Sequence, residues 1–376
     1  MKRKIVAVML ATAMSVTLFG CGGGSSDTAS TDAAETEAPA EETEAPAEET
    51  EAPAEETEEP AAEEEASTEE ASADSSIPDG DPSDTDMTVL EGLRVGFSQC
   101  DNMNSWRIAE TESIQAAADE YGVELVFADA GADIAKQASD IEDMVAQGVD
   151  YIIAAPQEED GLQTAFKSAM DAGIPVILVD RGINGTAGED YTIAIMSDFI
   201  WEAEQVANKF IEATGGKGNC VILQGTQGAT STNDRQEGFM NAIEGTDIVV
   251  VADQVANYTM AEGQSVMENI LQAQGDEIDM VFAHNDDMAL GAIEAIKAAG
   301  YVPGEDILVG GIDGPAAAME AILAGEQLCS CSCSPLFGPI SFETIARLEA
   351  GEEVPSEIMN EDTLYDINNA DVSLGF

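Results

Sequence analysis

In a chain carrying 13 Lys and Arg against 75 Asp and Glu, a few arginines stand in conspicuous places. Arg107 follows Trp106, Arg181 follows Asp180, and Arg235 follows Asp234. A guanidinium is a rigid fork of donors, and an indole is a flat apolar face with one polar atom. Side by side, as in Trp106-Arg107, they can stack on a polyhydroxylated ring and grip its hydroxyls. Asn285 and Asp313 extend the set, because carboxylates accept from hydroxyls, guanidinium groups donate, and an amide does both. A plainer reading stands beside this one: a Trp in a helix–sheet core with Arg on a solvated face, and polar side chains that cap helices or form local ion pairs. For Ser105 and Asp286, capping and ligand contact are equally good readings. For Arg181 and Arg235, which come after apolar runs, the site reading is preferred.

The elements that must position these residues are legible as an alternation. Short apolar runs at Leu93–Phe97, Glu124–Phe127, Tyr151–Ala155, Val176–Val179, Thr192–Ile195, Cys220–Leu223, Ile248–Val251, Met280–Ala283 and Ile307–Gly310 are separated by helical patterns. Most runs are continuous in apolar residues rather than alternating, as expected of parallel strands covered on both faces. Ile134, Ala138, Ile141, Met144 and Val145 share one face of a helix. Further helical patterns fill Gly161–Ala172, Ile200–Ala213, Arg235–Ile243, Ala261–Ala273, Met288–Ala299 and Ala316–Leu323. There are too many β–α units for one small core, so the expectation is an α/β fold of two doubly wound, Rossmann-like lobes. In such sheets ligands bind beyond the carboxyl ends of the strands. Those ends carry the polar residues: Asp180-Arg181 after Val179, His284-Asn285-Asp286-Asp287 after Ala283, and Ile312-Asp313-Gly314 after Gly311.

The N-terminal quarter reads differently. Lys2-Arg3-Lys4 precedes an apolar run, Ile5 to Phe19, that suits a signal peptide better than a membrane span of roughly 20 residues. It ends in Leu18-Phe19-Gly20-Cys21, which resembles a bacterial lipobox, so residues 1–21 are expected to be a lipoprotein signal and Cys21 the lipidated residue. The protein would then sit outside the cell, held to the cell membrane by acyl chains only. Residues 22–90 are expected to be a disordered tether. Thr-Glu-Ala-Pro-Ala-Glu-Glu repeats from Thr36, Thr43 and Thr50, Pro recurs in every copy, and no Lys or Arg occurs between Lys4 and Arg94. As a flexible coil it would reach about 40–50 Å, and its charge extends it further.

Taken together, Val95-Gly96-Phe97-Ser98-Gln99, Ser105-Trp106-Arg107, Val179-Asp180-Arg181, Asp234-Arg235-Gln236-Glu237-Gly238-Phe239, Ala283-His284-Asn285-Asp286-Asp287 and Gly311-Ile312-Asp313-Gly314 resemble the type I sugar-binding proteins of ABC importers. The likeness covers residues 91–376 and is strongest to the galactofuranose-binding branch. It implies lobe one at 91–197 plus 334–361, lobe two at 198–333 plus 362–376, and a hinge of three crossings. It further implies a monosaccharide ligand, ABC permease subunits as partners, and a monomer. The residues it places around the sugar are Trp106, Arg107, Asp180, Arg181, Arg235, Asn285 and Asp313, joined by Asn104, Glu110 and Asp234. Ser105 belongs to the same motif. Two departures are visible: the loop Cys100-Asp101-Asn102-Met103-Asn104, and Cys333 where a polar ligand-facing residue is common.

Other functions fit less well. No cofactor or metal is expected, and an enzyme is disfavoured. The sole histidine is His284, and no nucleophile elbow, metal-ligand cluster or complete P-loop occurs. A net charge of −62 and the lack of a helix-turn-helix argue against nucleic acid. Cys329, Cys331 and Cys333 alternate on one strand at about 6.6–7 Å, at the limit for a disulfide, and read as small buried thiols. A sugar-sensing lipoprotein that signals to a membrane kinase is the competing use of the same pocket.

Overall fold

The central apolar runs become strands here because they are buried on both faces. In β3 (Tyr151–Ala154) and β4 (Val176–Val179), Ile153, Ile177 and Val179 face one core cluster, while Ile152, Ala154, Val176 and Leu178 face another. The computed structural model describes residues 85–376. The expected signal segment, Cys21 and residues 22–84 of the expected tether lie outside them.

The first sheet contains β1 (Arg94–Gln99), β2 (Glu124–Asp129), β3, β4 and β5 (Ile193–Met196). The second contains β6 (Lys217–Gln224), β7 (Asp247–Val255), β8 (Met280–Ala283), β9 (Leu308–Asp313) and β10 (Cys329–Ser332). Late in the chain β11 (Glu357–Met359) joins the first sheet and β12 (Leu364–Asp366) the second, giving the orders β11-β5-β4-β3-β1-β2 and β12-β10-β9-β8-β6-β7. All pairs are parallel except β10 with β12. The helices are α1 (Ser105–Tyr121), α2 (Ile134–Gln147), α3 (Gln163–Asp171), α4 (Phe199–Thr214), α5 (Thr230–Ile243), α6 (Met260–Gln274), α7 (Asp286–Ala299), α8 (Ala316–Ala324) and α9 (Phe337–Glu349). This is the two-lobed, doubly wound α/β architecture expected from the alternation.

The chain passes between the sheets after β5, after β10 and after β11. Neighbouring crossings are tied together: Ser332 Oγ donates to Asp362 (3.0 Å), Thr363 N–H donates back to Ser332 Oγ (2.8 Å), and Cys333 Sγ donates to Ser197 Oγ (3.7 Å). Cys329, Cys331 and Cys333 are free thiols buried in the core that continues through this region.

Three local expectations need correction. The tether does not run to residue 90: Met87–Leu90 forms a 3-10 turn capped by the Asp86 carboxylate, and Leu90 is fully buried in the core. A single apolar anchor ends the acidic segment because its burial offsets the entropy of ordering a short turn. Helix α5 begins at Thr230, before the expected Arg235–Ile243 pattern, which puts Arg235 in its second turn. Helix α9 and the short strands β11 and β12 were not anticipated, since a three-residue strand carries no periodicity to read.

Helices α4 and α5 approach closely at Gly238, where a Cβ would lie 2.2 Å from the Ile200 carbonyl oxygen. Gly238→Ala is therefore expected to destabilise the second lobe by about 1–3 kcal/mol, despite alanine's better helix propensity. Denaturant unfolding of the variant against the parent checks this, and equal midpoints would show that the helices separate freely.

Candidate functional site

The carboxyl ends of both sheets converge on one cavity of about 260 Å3, lined by residues that are far apart in the chain. From the first lobe come Asn104, Trp106, Arg107, Asp180 and Arg181; from the second come Ser231, Arg235, Tyr258, Asn285 and Asp313.

Asn104 caps α1, its side-chain oxygen accepting from Arg107 N–H at 2.8 Å, so the helix delivers Trp106 and Arg107 in its first turn. Trp106 serves both readings at once. Its ring packs edge-on against Phe337, its Nε1–H donates to the Cys333 carbonyl (2.7 Å), and part of it faces the cavity. Arg107 lies beside the indole, 4.8 Å from the ring centroid, and bridges two carboxylates: it donates to Glu110 at 2.7 Å and to Asp180. Asp180 sits just past β4 at φ 62°, and Asp313 ends β9 at φ 124°. Left-handed backbone at two non-glycine residues costs about 1–3 kcal/mol each and is characteristic of functional positions. Arg181 donates to the Gln157 carbonyl (3.0 Å) and lies over the Tyr258 ring at 5.4 Å. Arg235 is held by Glu202 (Nε to Oε2, 2.9 Å) and by the His284 carbonyl (2.7 Å), with Asp313 at 3.8 Å.

All three guanidinium groups are buried and already paired with carboxylates. With the guanidinium groups held in this way, a neutral polyol needs only the directional donors and acceptors that still face the cavity.

Three expected contacts do not line this cavity. Glu110 is fully buried behind Arg107, where it accepts from Arg107 and from Gln99 (2.9 Å), and burial pushes its carboxyl up to about 7. Ser105 points across the cleft instead: its N–H and Oγ both meet Asp287 Oδ2, at 3.0 and 3.1 Å, joining the two lobes at the rim. Asp234 is half-buried beside the cavity, and burial together with Glu159, Glu237 and Asp198 raises it to about 6. Its place one residue before Arg235 on a helix turns its side chain away. Two lining residues were missed. Tyr258 lies after β7 at φ 60°, and its hydroxyl bonds Ser231 (3.0 Å) and Thr232 (2.9 Å). An aromatic residue in a strand-end loop, as at Trp106, was the signal available for it. Ser231 was hidden by placing the start of α5 too late.

His284 is buried, and burial with Arg235 nearby lowers it to about 3, so the ring stays neutral. Among the described residues no group of three His, Cys, Asp or Glu is placed to hold a metal ion.

Asp286 supports the site from beneath. It is fully buried, accepts from Gly314 N–H (2.9 Å), Gln327 (2.6 Å) and Ser330, and burial pushes it up to about 7. Its folded-state value lies above the roughly 3.9 of an unfolded aspartate, so the folded chain holds the proton more tightly and stability rises as pH falls from about 8 through 7. Relative to Asp286→Asn, the parent is expected to gain about 2–3 kcal/mol between pH 8 and pH 5. Denaturant unfolding of both proteins across that range checks it, and parallel pH profiles would refute it.

Residues 95–353 match the family described as the periplasmic binding protein domain. The chain belongs to that family. Over 284 residues this periplasmic binding protein is 37% identical to the galactofuranose-binding protein YtfQ of Escherichia coli, covering 74% of this chain and 89% of the relative. A Mycobacterium smegmatis protein solved in complex with β-D-fucofuranose superposes with a TM-score of 0.72 at 38% identity, over 75% of this chain and 94% of that one. The binding component of an arabinose ABC transporter from Shewanella, solved with α- and β-L-arabinofuranose, gives a TM-score of 0.71 at 35% identity, covering 74% and 93%. The resemblance read from the strand-end motifs is thus borne out, and the family is one of binding proteins rather than enzymes.

Proposed function

We propose that this periplasmic binding protein captures a neutral monosaccharide in its furanose form, galactofuranose or a related sugar, by closure of its two lobes, and delivers it to an ABC importer. The observation that carries the reading is the cavity between the sheets, whose three guanidinium groups are each held by carboxylates. Three buried arginines, two strained strand-end aspartates, two amides and two aromatic rings line it. The relatives solved with fucofuranose and arabinofuranose support the furanose choice. Trp106, Arg107, Asp180, Arg181, Arg235, Asn285 and Asp313 are the proposed contacts, with Asn104, Ser231 and Tyr258 completing the wall. Glu110 holds Arg107 in position, and Ser105 meets Asp287 as the lobes close. The ligand favours closure only through its differential contacts with the second lobe. Cys21 provides the membrane anchor and the acidic stretch after it the reach towards the permease.

Thermal unfolding against galactofuranose, galactose, ribose, arabinose and fructose tests the proposal. A sugar at 100 times its dissociation constant adds about 2.7 kcal/mol, a shift of a few degrees. One sharp responder, together with loss of its uptake when the gene is deleted, supports the importer reading. No response from any sugar overturns the ligand class.

A further inference from the structure

Beside the inner cavity lies a larger chamber, with about 970 Å3 of empty space, part of it open to solvent. Its walls also come from both lobes: Met103, Gln157 and Glu158 on one side, Gln227, Asn257 and Glu262 on the other. The two spaces adjoin at three places. Met103 precedes the inner residue Asn104, Asn257 precedes Tyr258, and the Gln157 carbonyl accepts from Arg181 at 3.0 Å. The inner cavity therefore borders a larger space.

The chamber's chemistry is specific. Gln157 is 4% exposed, yet its side-chain oxygen has no hydrogen-bond partner. That oxygen lies beneath the wall surface, so a ligand hydroxyl meets it once the side chain turns, and an unpaired amide oxygen costs about 1–3 kcal/mol until a donor does so. Met103 is 55% exposed and offers an apolar surface for the C–H face of a ring. Asn257 and Gln227 supply neutral polar edges, while the charged residues of the wall, Glu158 and Glu262, are both acidic. A phosphate or carboxylate entering here would meet like charge without a compensating base. Because the walls belong to both lobes, anything bound here adds contacts to the closed form, on which the equilibrium between open and closed states depends. Across the same rim Glu159 N–H donates to the Gly228 carbonyl (2.9 Å), and Thr230 Oγ donates to the Gly182 carbonyl (3.1 Å).

We propose that this outer chamber is a second ligand compartment, which receives an uncharged sugar residue glycosidically linked to the one in the inner cavity. The inference rests on the sugar-binding reading and extends it: the cargo class becomes short furanosides as well as free monosaccharides. No bond is made or broken.

Calorimetric titration of the full-length chain tests it. The probes are L-arabinose and D-galactose as free sugars, and α-1,5-arabinobiose and a β-linked galactofuranosyl disaccharide as glycosides. At least one disaccharide is expected to bind within tenfold of its own monosaccharide, or more tightly. Gln227→Trp, which fills the chamber from an exposed loop position, should weaken that disaccharide tenfold or more and leave the monosaccharide within twofold. The retained monosaccharide affinity also shows that the variant is folded. Free sugar binding with both disaccharides more than tenfold weaker overturns the inference and leaves the monosaccharide reading intact. An equal effect of Gln227→Trp on both sizes overturns it as well. If neither size binds, the sugar-binding reading itself fails and the inference falls with it.

Discussion

Alanine at Arg181 or Asp313 is expected to weaken ligand binding by about 2–4 kcal/mol, roughly 30- to 1000-fold. Both side chains are almost wholly buried, at 3% and 6% exposure, and both line the inner cavity. Removal of Arg181 takes away a charge-assisted donor and frees the Gln157 carbonyl, which lies between the two compartments. Loss of Asp313 removes an oxygen that stands 3.8 Å from Arg235, close enough to share a ligand hydroxyl with it. In each case a polar group on the sugar is buried without its partner, and that desolvation exceeds the net value of an average hydrogen bond. Burial raises the Asp313 carboxyl well above its usual range, against the pull of Arg235, so Asp313→Asn should lose less than Asp313→Ala. Titration calorimetry with the responding sugar measures these losses. A decrease of less than threefold for both alanine variants would refute the site.

Glu202→Ala is expected to be the most damaging change to stability, costing about 3–5 kcal/mol and lowering the melting temperature by on the order of 10 °C. Glu202 is fully buried on α4, and its Oε2 accepts from Arg235 at 2.9 Å. Taking away one member of a buried ion pair strands the other, and the desolvated guanidinium has only the His284 carbonyl and the more distant Asp313 to turn to. Glu202→Gln keeps the shape and one acceptor, so its loss should be about half as large. Binding should weaken in both variants, because Arg235 lines the cavity from a position that Glu202 holds. Melting temperatures within about 2 °C of the parent for both variants would mean that α4 does not anchor the arginine.

Much of this molecule is legible in one dimension. Val176–Val179 and Met280–Ala283 are strands to the residue, because a run buried on both faces must be apolar at every position. Helix ends follow from caps that act locally, as at Asn104 and Asn285. The polar residues after β1, β4, β8 and β9 were recognisable because parallel sheets present those ends on a single side, so a strand-end Asp or Arg is a candidate for the site before any contact is known.

Which of those residues meet one another is a different matter. Glu110 and Arg107 share a helix, yet only the packing of α1 against α9 and β2 puts the arginine in the cavity and the glutamate behind it. Ser105 faces Asp287 across 182 residues of chain, Trp106 caps a carbonyl at Cys333, and Tyr258 completes a wall begun at Arg181. Helix α9, β11 and β12 also took their places only in the assembled lobes. The amino-acid order determined the local elements and the loops that carry polar groups, because periodicity, caps and strand ends are encoded within a few residues. Tertiary structure alone decided which side chains face the cleft and which serve as supports behind them, because burial and hydrogen-bond pairing depend on chain segments that approach only after folding.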